Sequence, residues 1–251
     1  MAHPLLTLSE LQTIVKERQG MVCLHPIYAV ATHLPIMHEA LLRLMDKRGL
    51  EVLPRAFIPT ALANHLMPQL DLLMLDCLET QLHLHTAKPP TPVSVNISRH
   101  SLLDDTYMGR LEASEWKGHL NDLMFELKVG DISRDIAALK SLIGLKSKGT
   151  CLCVDYQQGG VRAVELAADL GFDYLKIDAV NISLKYTNAE LANVAAACAE
   201  AHKAGLKIVF ERVETPGDYK AIKLYNPDGV QGYLFGQPSF MFAKTPYKVA
   251  V

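Results

Sequence analysis

Thr150-Cys-Leu-Cys-Val-Asp155, Asp173-Tyr-Leu-Lys176, Lys207-Ile-Val-Phe-Glu211 and Asp228-Gly-Val-Gln231 repeat one pattern: a short apolar run that ends on a charged or amide side chain. Toward the N-terminus, Asp122-Leu-Met-Phe-Glu126, Thr91-Pro-Val-Ser-Val-Asn96 and Pro35-Ile-Met-His-Glu39 do the same. Runs of this length between turn residues read as buried strands. Helix-period patterns fill the gaps, as over 188–204 and 216–225. Strand and helix in alternation predict parallel βα units, an α/β fold. Such units can close into a barrel whose strand C-termini converge on one mouth. Seven polar groups then share that mouth, four of them carboxylates, which describes a metal-dependent site better than a stability feature.

The remaining elements follow from the same reading. A capped amphipathic helix is expected over 7–19, with Ser9 and Gln12 at capping-box spacing. A strand follows over 21–30, and the segment 35–44 reads as a strand running into a short helix. Residues 60–67 read as another short helix, and Pro68 suits the first turn of a longer one ending near 84. Lys88-Pro-Pro-Thr-Pro92 is a rigid loop that no helix crosses. Further strands are expected near 93–97, 123–127, 151–156, 174–177, 208–211 and 229–233.

Nothing in the sequence marks a linker or a second domain, so one domain over 1–251 is expected; α/β barrels reach this length. Hydrophobic residues make up 49% and charged residues 21%, a globular composition, and the net charge of −2 gives no nucleic-acid surface. Five widely spaced cysteines read as reduced core residues. Neither a signal peptide nor a membrane-length apolar stretch is visible, so a cytoplasmic protein without a membrane partner is expected.

Carboxylates gathered at one mouth raise each other's pKa unless a cation compensates. Glu39, Glu126, Asp155 and the Asn96 amide oxygen are hard oxygen ligands that suit Mg²⁺ or Mn²⁺, or Ca²⁺, rather than zinc. Any one of them alone reads as an ordinary exposed strand end; the regularity of the set favours a site. Lys176 has a second reading as a Schiff-base lysine, which surrounding carboxylates oppose by keeping it charged. Gln231-Gly-Tyr-Leu-Phe-Gly236 follows the last strand, where barrels often bind phosphate, although a glycine there is usually just a turn. His83 and His85 suggest zinc weakly and read better as solvated surface; Trp116 carries no functional signal.

In this order, these motifs resemble the EAL domain, the cyclic di-GMP phosphodiesterase family of bacterial signalling. The resemblance rests on Glu39-Ala-Leu-Leu-Arg43, Phe57-Ile-Pro59, Val95-Asn-Ile-Ser98, Leu175-Lys-Ile-Asp178, Glu211-Arg-Val-Glu-Thr215 and Gln231-Gly-Tyr233. It implies a modified (β/α)8 barrel, TIM-like, with an antiparallel first strand. It also implies one metal, Mg²⁺ or Mn²⁺ with Ca²⁺ as an inhibitory ion, held by Glu39, Asn96, Glu126 and Asp155. A second metal would lie between Asp155, the next aspartate and Glu211. Lys176 would orient the attacking water. Arg43, Gln231, Glu214 and Asp178 would face the ligand. The reaction implied is hydrolysis of one phosphodiester bond to linear pGpG.

The departures from the family pattern fall on the catalytic loop and the ligand rim. Asp155-Tyr-Gln-Gln-Gly-Gly160 stands where the family has Asp-Asp-Phe-Gly-Thr-Gly, so Tyr156 replaces the second aspartate. A one-residue loop insertion would instead make Asp155 the second aspartate; either way a carboxylate is lost. A neutral phenol of pKa about 10 is a poor ligand for Mg²⁺. Val129 replaces a glutamate, Gln157 and Gln158 break the loop pattern, His25 replaces a glutamine, and Leu62 replaces a glutamate. The expected protein is a partly degenerate domain that binds cyclic di-GMP or a protein partner with little hydrolysis. A slow phosphodiesterase and a protein-interaction module without nucleotide are the competing readings, and homodimerisation stays open. If Tyr156 is the main defect, Tyr156→Asp should raise hydrolysis.

Overall fold

The computed structural model describes residues 5–84, 92–113, 120–128, 135–156, 160–184 and 186–240. The chain enters through α1 (Leu8–Lys16) and lays down an antiparallel pair, β1 (Gly20–Ala29) and β2 (Pro35–Met45), edged by β3 (Glu51–Val52). Helices α2 (Pro54–Ala63) and α3 (Met67–Leu84) lead to β4 (Val93–Asn96). Then come α4 (Arg99–Leu102), α5 (Asp105–Glu112), β5 (Leu123–Leu127), α6 (Ile136–Ser147) and β6 (Cys151–Tyr156). The last part holds α7 (Gly160–Asp169), β7 (Tyr174–Asp178), α8 (Ala179–Leu184), α9 (Asn188–Lys203), β8 (Lys207–Glu211), α10 (Pro216–Ile222), β9 (Gly229–Val230) and β10 (Ser239–Phe240). His85, Trp116, Val129, Gln157, Gln158 and residues 88–91 lie outside the described residues.

The sheet closes on itself. From β2 the order runs β4, β5, β6, β7, β8, β9, all parallel, and β1 joins β9 to β2 antiparallel to both. This is an eight-stranded barrel with a reversed first strand, as the motifs imply. Along each strand, side chains alternate between the barrel lumen and the helix layer. Ile27, Met37, Met124, Cys153 and Val209 form a small apolar cluster in the lumen. Their neighbours in sequence, such as Phe125, Leu152, Val154 and Phe210, belong to the larger core against the helices. Truncating Phe125, at 0% exposure, to Ala costs about 3–5 kcal/mol through lost transfer energy and the cavity left behind.

Local chemistry shifts several boundaries from the sequence reading. The capping box of α1 is Thr7 with Glu10, not Ser9 with Gln12: Thr7 Oγ1 accepts the Glu10 amide at 3.3 Å and Glu10 Oε2 accepts the Thr7 amide at 2.9 Å. The segment expected to turn from strand into helix before 44 stays extended through Met45, because pairing with β1 continues to Gly20–Leu44 and β3 covers the other edge. The helix expected over 60–67 begins earlier, at Pro54, where a proline suits the first turn. The strand expected over 229–233 stops at Val230. There the chain swings past Val213 at Gly232 (φ 154°), where an added Cβ would meet the Val213 carbonyl oxygen at 2.2 Å.

Candidate functional site

The polar mouth is the next storey of the lumen. Two residues beyond Met37, Met124, Cys153, Tyr174 and Val209, on the same strand faces, stand Glu39, Glu126, Asp155, Lys176 and Glu211. Asn96 is level with Glu126, Asp155 with Lys176, and Asp178 with Glu211. His25 comes to the same rim on the reversed β1, opposite Glu39. Parallel pairing with the helices folded back outside thus brings together side chains far apart in sequence.

Lys176 is the hub. Its Nζ lies 2.9 Å from Glu126 Oε2, 3.0 Å from Glu39 Oε2 and 3.3 Å from Glu211 Oε2, and its side chain is 3% exposed. Burial alone would depress its pKa, but the surrounding carboxylates Glu126, Glu39 and Glu211 outweigh that and hold it well above the ordinary lysine value. It is therefore a charged ammonium, which removes the Schiff-base reading. Glu39 also accepts the Asn96 amide at 3.2 Å and the Gln231 amide at 2.9 Å. Burial would raise its pKa, yet Lys176 and the Gln231 hydrogen bond bring it below the usual value.

One ammonium does not neutralise the whole group. Burial pushes Glu126 up to about 7 despite Lys176, with Glu39 adding to the rise. Burial likewise raises Glu211 and Asp155, and Glu39 again adds to each. The opposite directions for Glu39 and Glu126 reflect three carboxylates sharing one cation: the best hydrogen-bonded one ionises most readily. A cluster in this state has spare affinity for positive charge.

That surplus bears on a metal. Among the described residues, no three acidic, His or Cys side chains close around one point as a ready ligand cage, because the Lys176 ammonium stands among the carboxylates. The donor chemistry of Glu39, Asn96, Glu126 and Asp155 nevertheless suits one hard divalent ion, given the negative surplus. Tyr156 shares β6 with Asp155 but faces the other way, 6% exposed in the helix-layer core, with its phenol hydrogen-bonded to the Gly160 backbone.

Two hollows flank the cluster. One of about 600 Å³ is largely apolar, walled by Leu41, Phe57, Ile58 and Leu62, and reaches Asn96, Glu126 and Asp155. Leu62, 52% exposed on α2, stands at its rim. The other, about 300 Å³, is lined by His25, Glu39, Arg43, Glu211, Arg212, Glu214, Gln231 and Tyr233, among others. Arg43 is a buried strand residue, its Nε 2.9 Å from Glu51 Oε1 and its Nη1 donating to the Leu42 carbonyl at 3.1 Å. His25, kept neutral chiefly by burial, lies with Nε2 3.0 Å from the Gly236 carbonyl, to which that nitrogen donates. Glu214 is placed by the turn into α10, where Asp218 Oδ2 accepts the Glu214 amide at 3.2 Å and the Thr215 amide at 2.8 Å.

Two residues were missed from sequence. Ser94, fully buried, donates its hydroxyl to Glu126 Oε1 at 2.6 Å; its signal was the two-residue step to Asn96, which puts both in the lumen. Arg212 follows Glu211 with φ 57°, and its Nη1 donates to Asp178 Oδ2 at 2.7 Å. No sequence pattern announces an arginine in that backbone conformation.

The comparisons with known proteins bear on the fold and the family. The Pseudomonas aeruginosa cyclic di-GMP phosphodiesterase NbdA is 30% identical over 246 residues, spanning 91% of this chain and 30% of that protein. The chain spans about a third of the length of the curated relatives it matches. A solved structure of the PaMucR phosphodiesterase in its c-di-GMP complex superposes with a TM-score of 0.78 at 26% identity, covering 93% of this chain and 97% of that one. The Xanthomonas citri FimX EAL domain, also solved with c-diGMP, shares the fold at 17% identity and a TM-score of 0.80, covering 96% of this chain and 95% of that one. The EAL domain profile matches residues 8–238, so the chain belongs to the EAL domain family of cyclic di-GMP signalling.

Proposed function

We propose that this domain binds cyclic di-GMP at the barrel mouth with little or no hydrolysis. The observation that carries this reading is the contrast along β6. Asp155 is raised by burial and by the carboxylates near it, whereas Tyr156, which takes the place of the second family aspartate if Asp155 is the first, is packed away from the mouth. Glu39, Asn96, Glu126 and Asp155 would hold one divalent ion, Mg²⁺ or Mn²⁺, with Ca²⁺ as an inhibitory ion. Such an ion supplies charge neutralisation for a phosphodiester and polarisation of its oxygens. Asp155 and Glu211 alone serve a second position poorly.

The chain's own residues have separable roles. Arg43, with Gln231 and Glu214, faces the ligand from the smaller hollow, and Leu62 lines the larger one. Lys176 is fixed by three carboxylates and would hold an attacking water in any residual hydrolysis. Glu211, raised by burial, would accept its proton. Losing one charged ligand of a two-ion site removes several kcal/mol of transition-state stabilisation, roughly a thousandfold in rate.

An active or slow metal-dependent phosphodiesterase yielding pGpG is the second reading, favoured by the intact cluster of Glu39, Glu126, Lys176 and Glu211 and by the activity in the names of the relatives. A protein-interaction regulator is the third, favoured by His25 and Leu62 at the rim. Calorimetry with cyclic di-GMP in Mg²⁺, Mn²⁺ and then chelator, followed by chromatography for pGpG, separates them. Binding without appreciable pGpG is expected. Rapid turnover refutes the degenerate reading, and no heat of binding at high micromolar nucleotide refutes the nucleotide reading altogether.

A further inference from the structure

Arg212 occupies an unusual place. The chain leaves β8 at Glu211 and must turn at once, so that the Val213 amide reaches the Gln231 carbonyl at 3.0 Å. The turn puts Arg212 at φ 57° in the left-handed region, which disfavours any side chain beyond glycine. A strained backbone that carries a long cationic side chain at the rim of a hollow calls for an explanation in function.

The side chain has a defined aim. Its Nη1 donates to Asp178 Oδ2 at 2.7 Å, and Asp178 Oδ1 in turn accepts the Val180 amide at 2.9 Å. This second bond fixes the carboxylate, so the arginine is tethered to a rigid point. The Arg212 side chain stays 51% exposed and lines the 300 Å³ hollow together with Arg43. A guanidinium carries five donors in a planar fork, and the tether to Asp178 uses Nη1 alone. Arg43 comes from β2 and Arg212 from the end of β8, so they reach the hollow from different strands of the barrel.

We propose that Arg212 is a ligand-binding residue that, with Arg43, forms a cationic clamp for the phosphate groups of a nucleotide seated in this hollow. The inference rests on the nucleotide reading above and adds to it a residue and a charge pattern. Glu39, Glu211 and Glu214 line the same hollow, so an anionic ligand entering it meets repulsion that a single arginine offsets only in part. A second guanidinium, pre-positioned by Asp178, offers charge-assisted bonds to phosphate oxygens without first having to be ordered. An ion pair of this half-exposed arginine with Asp178 would give little for stability alone, since ion pairs open to solvent contribute weakly.

The test compares the parent protein with Arg212→Gly and Arg212→Lys. Glycine suits the left-handed turn and removes the guanidinium; lysine keeps the charge without the fork. Calorimetry with cyclic di-GMP should show Arg212→Gly binding about tenfold to a hundredfold more weakly than the parent. Its Tm should be unchanged or higher, because the turn is relaxed. Arg212→Lys should recover part of the affinity, and the parent's affinity should fall more steeply with salt than that of Arg212→Gly. Undiminished binding by Arg212→Gly overturns this inference and leaves the nucleotide reading standing. Weaker binding accompanied by a lower Tm assigns the side chain to stability and also overturns it. No binding by the parent removes both.

Discussion

Replacing Lys176 by methionine removes the only cation in contact with Glu39, Glu126 and Glu211 among the described residues, while keeping most of the side-chain volume. The ammonium is 3% exposed and makes contacts of 2.9–3.3 Å to three carboxylates. Breaking a buried ion pair by deleting one partner costs about 3–5 kcal/mol, because the charge left behind is neither solvated nor paired. The Lys176→Met protein should therefore unfold at a urea midpoint roughly 1–2 M lower in chelator, for a denaturant slope of about 3 kcal/mol per molar. A divalent ion at a hundred times its dissociation constant should restore about 2.7 kcal/mol, since it binds the folded cluster and not the unfolded chain. Circular dichroism through a urea titration, in chelator and in Mg²⁺ or Mn²⁺, reads both effects. An unchanged midpoint in chelator would show that the carboxylates tolerate one another without Lys176. A lowered midpoint that neither ion restores would refute the idea that the mouth's surplus charge is available to a metal.

Three further outcomes are expected. Arg43→Ala should weaken cyclic di-GMP binding roughly tenfold to a hundredfold by calorimetry with the fold intact; its exposed partner Glu51 should make the stability loss small. If Tyr156 is the main defect, the sequence predicts that Tyr156→Asp raises hydrolysis, but the position faces the helix-layer core, so the variant should lose about 3–5 kcal/mol of stability with no gain in pGpG; a metal-dependent rise in turnover would show that the end of β6 turns over to present the new carboxylate. Burial raises Asp71 from 3.8 to about 6, opposed by its bonds from Ser101 and Ser98. An acid whose folded pKa is raised favours the folded state only while protonated, so stability should fall by roughly 3 kcal/mol as pH rises from about 4 to about 6. Asp71→Asn should flatten that slope in urea titrations across the window, and a slope equal to the parent's would assign it to other groups.

The strand-end residues were legible because a parallel barrel converts chain periodicity into spatial convergence. Glu39, Asn96, Glu126, Asp155, Lys176, Glu211 and Gln231 each end an apolar run, and the structure brings them to one mouth. Less legible was what depends on the direction of a single side chain. Tyr156 is adjacent to Asp155 in sequence, yet the two-residue period of a strand sends it to the opposite face. The segment 35–44 reads as a strand running into a helix because the apolar run Ala40-Leu-Leu suits both; pairing with β1 decides for strand and puts Arg43 on it. Ser94 was overlooked as a small residue inside an apolar run, although its hydroxyl meets Glu126.

The reversed first strand has a consequence for the order of assembly. The β1–β2 hairpin joins residues near in sequence, so little loop entropy opposes it. Closing the ring requires β1 to find β9, Tyr28 with Val230, across almost the whole chain. Contacts of that separation form late in folding. Gln231 leaves β9 at this seam, and its amide nitrogen reaches both Glu39 and the His25 carbonyl. The acidic mouth is therefore sealed by the last stitch of the barrel, and chains still waiting for it carry unpaired edges on β1 and β9 and a mouth in which Glu39 lacks its Gln231 partner.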